Sequence, residues 1–233
     1  MDSVHSDKLP PRAAHKPFHF NTSAHLLRIG RERATNLSEL LQALRTCSEH
    51  SVFQHTFRTL QEHHFIREGF SNDFAHWAFS ACNEPGLAER LAGVDVRKFT
   101  SVQAVREQIL QIVEEYIRSN PRSRERFVDE PFYFCAADVV VLPTPFVAHS
   151  LSEFVDGLAH VSVHSIHHHF IEARLRLKLT SNDFSRWLEE ETDLREAARR
   201  INRIDIYTAT MEGVRRQMIH IVKNAINQEP DGS

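Results

Sequence analysis

The amino-acid sequence predicts a mainly α protein built as two tandem homologous helical domains, each opening on a short β element. Three observations carry that expectation. Only 7 glycines in 233 residues, against 25% charged residues, favour helices over a turn-rich β architecture. A series of segments is written twice in the same order. The repeated segments also carry helix-start residues followed by apolar stripes at helical spacing.

The repeat is the firmest of these. PFHF at 17–20 matches PFYF at 131–134, and HSVFQH at 50–55 matches HSIHHH at 164–169. SNDFAHW at 71–77 matches SNDFSRW at 181–187, RLAGVD at 90–95 matches RINRID at 200–205, and VREQILQIV at 105–113 matches VRRQMIHIV at 214–222. Internal self-similarity of this kind divides a chain into equivalent units. The expected partition is a disordered N-terminus at 1–16, a first helical domain at 17–118, a polar linker at 119–131, a second helical domain at 132–226 and a disordered tail at 227–233.

Each copy then reads as an ordered set of elements. FHF and FYF, with alternating aromatics, are short strands, and HLLRI and VVVL are second extended pieces. Asn36 with Glu39, and Ser150 with Glu153, have the spacing of a capping box. The stripes behind them are Leu37, Leu40, Leu41 and Leu44 in one copy, and Leu151, Phe154, Val155 and Leu158 in the other. A second helix starts near Ser51 and Ser165, and a third at the SNDF motif. A short fourth holds Leu87–Leu91 or Ala197–Ile201. The last is a long helix with Val102, Val105, Ile109, Ile112, Val113 and Tyr116 on one stripe, preceded by a capping box of Thr100 and Gln103.

Polar residues that are identical in both copies are the candidate site: His50, His55, Asn72 and Asp73, with His164, His169, Asn182 and Asp183. Asn72-Asp73 and Asn182-Asp183 read as a helix cap and a first-turn carboxylate. Phe74, Trp77, Phe184 and Trp187 are the core anchors behind them. His55 and His169 fall on the apolar side of their helix, so their ring nitrogens need partners, and the Asn-Asp cap of the next helix is the expected one. The rival reading makes the histidines and aspartates ligands of a transition metal such as zinc, iron or manganese. His50 and His55 are five apart, about 140° around a helix, which disfavours convergence. His167 and His168 align with Phe53 and Gln54 and read as solvated or partly buried. His63 and His64 have no match in the second copy. Asp95 with Arg106, and Asp205 with Arg215, are expected salt bridges that fix the loop before the last helix.

Composition limits the function classes. A formal charge of −3 and the lack of a basic stripe argue against nucleic acid. The start of the chain lacks the apolar run of a secretory signal, and no segment approaches membrane-spanning length. Three widely spaced cysteines fit reduced thiols in a cytoplasm. Nucleotide-binding glycine loops and serine-hydrolase elbows are absent. The order F-x-F, then an N/S-L-x-E-L helix, then His-Ser…His, then Asn-Asp-Phe-x-x-Trp resembles an uncharacterised prokaryotic domain-of-unknown-function family. The resemblance spans both halves and implies an independent domain unit in a prokaryotic cytoplasm, with no catalytic residue to transfer. The expectation is therefore a non-enzymatic helical protein that binds another protein or itself, without a cofactor. The alternative is a metal- or ligand-binding enzyme using the His/Asn/Asp set.

Overall fold

A computed structural model describes residues 13–58, 70–176, 178, 180–205 and 209–228. The chain is predominantly helical, but its β structure is not a pair of short elements. Strand β1 runs over Ala13–Ala34 and strand β2 over Phe132–Ser150, and the two pair as one antiparallel ribbon. Residues 13–16, assigned to a disordered terminus by the sequence reading, begin β1. The F-x-F segment and the apolar segment behind it are continuous in each strand, with no Gly or Pro between them to break the run. Pro143 and Pro145 are tolerated in β2 because a two-stranded ribbon leaves every second N–H without a strand partner, and a spacing of two fits that period.

After β1 come α1 (Leu37–Thr46), α2 (Glu49–Phe53, continued by a wide π turn, Gln54–Arg58), α3 (Asp73–Ser80), α4 (Pro85–Ala92) and α5 (Val102–Ser119). After β2 come α6 (Leu151–His160), α7 (Val163–His167, with a π turn at His168–Glu172 and a last turn at Ala173–Arg176), α8 (Asp183–Glu191), α9 (Arg195–Asn202) and α10 (Met211–Gln228). The starts follow from the residues. Asn36 and Ser150 accept the N–H of Glu39 and Glu153 at 2.8 and 3.2 Å. Glu39 and Glu153 reach back to the main chain of Thr35 and His149, each at 2.7 Å. The cap of α5 is Ser101, which accepts from Ala104, and not Thr100, while Gln103 bonds Glu107 along the helix.

The tandem arrangement does not hold. The compact units are Ala24–Val140 with Arg174–Thr180, here the first unit, and a second unit of the residues up to Ser23, Val141–Ala173 and those from Ser181 on. Each unit takes its F-x-F from the other half of the chain. Phe18 and Phe20 pack with Phe154, Phe184 and Trp187 in the second unit. Phe132 and Phe134 pack with Phe74, and Phe132 with Trp77, in the first. All seven phenylalanines among these are buried. A strand that alternates buried and open side chains suits this role, since Phe18 and Phe20, two apart, fall on one face. Each core is completed by the stripes of its helices: Leu37, Leu40, Leu44, Val105, Ile109 and Val113 in the first unit, Leu151, Phe154, Leu158, Val214, Met218 and Val222 in the second. No helix among the described residues is long and apolar enough to cross a membrane.

Candidate functional site

In the first unit the π turn of α2 carries His55, which is 5% exposed. Asn72 caps α3, its Oδ1 accepting the N–H of Ala75 at 2.9 Å while its Nδ2 donates to the carbonyl of Leu91. That cap fixes Asp73 at the first helical position, where the helix dipole favours a carboxylate. Asp73 then meets Nδ1 of His55 at 2.7 Å. The second ring nitrogen of His55 accepts the main-chain N–H of Cys135 on β2 at 2.8 Å. A backbone N–H can only donate, so Nε2 carries no proton, and Nδ1 is the donor to Asp73. The imidazole therefore fastens a strand to a helix start through one neutral ring.

The second unit builds the same arrangement from its own residues. His169 is 3% exposed on the π turn of α7, with Nδ1 at 2.8 Å from Asp183 and Nε2 accepting the N–H of Asn21 on β1 at 2.7 Å. Asn182, fully buried, caps α8 through Ser185 and gives its amide to Asn202. In both units the ring lies among phenylalanines: Phe132, Phe74 and Phe134 around His55, and Phe18, Phe184 and Phe20 around His169. Trp77 and Trp187 donate their indole N–H to the carbonyls of Glu130 and Lys16, each at 2.8 Å, which ties down the chain entering each F-x-F.

Other candidates are placed differently. His50 and His164 are exposed on the opening turns of α2 and α7, outside these clusters. His63 and His64 lie outside the described residues. Arg106 donates to the carbonyl of Cys47 at 2.8 Å, so it anchors the end of α1 and does not pair with Asp95. Arg215 donates to the carbonyls of Leu158 and Val161 and pairs with Glu212 at 2.9 Å, not with Asp205.

His167 and His168, expected to be solvated or partly buried, are instead fully buried. Both are 2% exposed, and their Nδ1 atoms lie 3.1 and 3.0 Å from the carboxylate of buried Glu172, which also accepts from Ser23 at 3.0 Å. Glu172 was the missed residue. Its i, i+4 spacing from His168 was the available signal.

His168, His169 and Asp183 bring one ligand atom each within 4.8 Å of one another, the group among the described residues closest to a metal set. The protons do not fit. A metal on Nδ1 of His169 would leave that ring without any proton, because Nε2 already faces a main-chain N–H donor. A metal-bound histidine is normally neutral with its second nitrogen donating. The arrangement suits a hydrogen-bonded latch and not a ligand.

A search among curated proteins returns no match. Among solved structures, the chain is similar to OrfY from Thermoproteus tenax, at 30% identity and a TM-score of 0.80, over 91% of this chain and 97% of that one. The family of unknown function DUF5752 matches over residues 15–223, the span that holds both histidine latches, and the chain belongs to that family.

Proposed function

We propose that the protein is non-enzymatic and acts by binding protein, with a second copy of itself as the partner. The observation behind this is an apolar face of the ribbon within the first unit. Side chains alternate along a strand, so Tyr133 and Val139 lie opposite the buried Phe132 and Phe134. The Arg28–Asp138 pair at 3.2 Å puts even-numbered residues of both strands on one side, and therefore Leu27 and Ile29 on the side of Tyr133 and Val139. These four are 56%, 66%, 47% and 45% exposed. Leu26 and Val140, on the other side, are also exposed, at 69% and 57%; exposed apolar side chains concentrated along one element in this way mark interaction surfaces. Closed pairs of identical chains are the commonest assemblies, and within this unit the His55 latch fastens β2 to the start of α3. Three cysteines without disulfide partners support a cytoplasmic setting.

Size-exclusion chromatography with light scattering tests this. The protein should run as a dimer in the micromolar range, and Leu27→Glu with Val139→Glu should give a folded monomer. A wild-type protein that stays monomeric throughout that range sinks the reading.

A further inference from the structure

We infer that the first unit binds a small oxyanion, a phosphate ester or a carboxylate, in a pocket between β1 and the start of α2. The pocket has a volume of about 300 Å³ and is lined by Arg28, Arg31 and Glu32 on β1, Cys47, Ser48 and Ser51 at the helix start, and Cys135 on β2. This is the lower end of the range for ligand sites. Ser51 is 4% exposed, and its hydroxyl has no hydrogen-bond partner among the described residues. A buried hydroxyl without a partner is destabilising, so it signals a missing acceptor.

The second unit shows what the acceptor replaces. There Ser165, at the same place in its helix, donates to the carbonyl of Asn21 at 2.7 Å. The contrast extends to charge. Arg215 has Glu212 as counter-ion, whereas Arg106 has no ion pair among the described residues. Gln103 stands where Glu212 would supply the charge, and its amide goes to Glu107. Arg106 is bonded to the carbonyl of Cys47, a wall residue of the pocket. Arg31 is exposed on the strand side and also has no ion pair among the described residues. Glu32 is the opposing charge. Burial pushes the Cys47 thiol up to about 11, so it adds no negative charge. An unmet buried hydroxyl and the unpaired guanidinium group of Arg31 in one pocket, with Arg106 beside it lacking a counter-ion, match an acceptor-only, negatively charged group.

Isothermal titration calorimetry of the full chain at fixed ionic strength, with inorganic phosphate and separately with acetate, is the test. Saturable one-to-one binding of phosphate, acetate or both supports the site and identifies the preferred anion. Ser51→Ala and Arg31→Ala should each weaken it about tenfold, while Arg199→Ala, which removes a charge belonging to the second unit, should leave it unchanged. Ser51→Ala removes an unpartnered group and should not lower the thermal midpoint. The inference is overturned if neither anion binds or if Arg199→Ala weakens binding equally. A marked thermal loss in Ser51→Ala, showing the hydroxyl to be bonded within the fold, also overturns it.

Discussion

Replacing His55 with phenylalanine isolates the polar part of the latch. The new ring is somewhat larger than imidazole and fills the space among Phe132, Phe74 and Phe134, so no cavity opens. Two hydrogen bonds disappear, Nδ1–H to Asp73 at 2.7 Å and the Cys135 N–H to Nε2 at 2.8 Å. A bond to a charged group is worth about 1.5–3 kcal/mol, and a stranded main-chain donor costs about 1–3 kcal/mol. Asp73 keeps 28% of its side chain open to water and regains solvation, so the lower ends apply. The expected loss is about 2.5 kcal/mol. Trp77 reports it, since its ring lies 5.8 Å from Phe132 in the same cluster. In a Trp187→Phe background, urea unfolding followed by Trp77 fluorescence should move to lower denaturant by that amount. A double-mutant cycle with Asp73→Ala should show coupling of at least about 1 kcal/mol. A loss under about 1 kcal/mol, with no coupling, would refute the assignment of the ring as the strand's fastening.

Gly157→Ala should destabilise the second unit by about 1–3 kcal/mol in thermal unfolding, because its new methyl would overlap the ring of Phe20. Gly86→Ala, which meets only Tyr116 at 3.7 Å, should be neutral or stabilising by up to about 1 kcal/mol. Burial, with the hydrogen bond to Glu84 second, pushes the Tyr116 phenol up to about 12, and burial pushes the Cys82 thiol up to about 12. Folded-state values raised this way favour the protonated fold. That stabilisation is complete below the ordinary thiol value of 9.0 and the ordinary phenol value of 10.0, and it is lost as pH rises toward 12. The thermal midpoint should thus fall across this window, and Tyr116→Phe should flatten the upper part. Elemental analysis of protein purified without a metal-affinity column should find far less than one equivalent of zinc, iron or manganese. A stoichiometric metal lost in His168→Gln would overturn the proton assignment of His169.

Caps were legible in the sequence because they are local. Asn72 and Asn182 need only the N–H three residues ahead, and Ser-Asn-Asp before an aromatic pair states that geometry. The π turns were not legible, since a helix at 3.6 residues per turn and one with an inserted wide turn share the same apolar pattern over ten residues. Their effect is large. Along α7 the run from Ser165 to Arg174 is buried without interruption, so residues that regular spacing assigns to solvent, His167 and His168 among them, lie inside. Half of each latch was also hidden. The acceptor role of Nε2 depends on main-chain donors 80 and 148 residues away, Cys135 for His55 and Asn21 for His169. Main-chain groups leave no mark in the letters.

The exchange of F-x-F segments is the hardest feature to read, because PFHF and PFYF are chemically interchangeable. Either could fill either set of helices, and periodicity scores both alternatives alike. The two tryptophans make the choice measurable. Phe18 lies 5.7 Å from Trp187 and 4.9 Å from His169, whereas Phe132 lies 5.8 Å from Trp77 and 4.7 Å from His55. Truncating a buried phenylalanine to alanine costs about 3–5 kcal/mol at the site that loses the ring. Phe18→Ala should therefore shift unfolding reported by Trp187 in a Trp77→Phe background. Phe132→Ala should shift unfolding reported by Trp77 in a Trp187→Phe background. A chain whose segments fill the helices that directly follow them predicts the reverse assignment, with Phe18→Ala felt at Trp77. For Phe18, loss at Trp187, more than a hundred residues away in sequence, and not at the nearer Trp77, is the signature that only the exchanged arrangement produces.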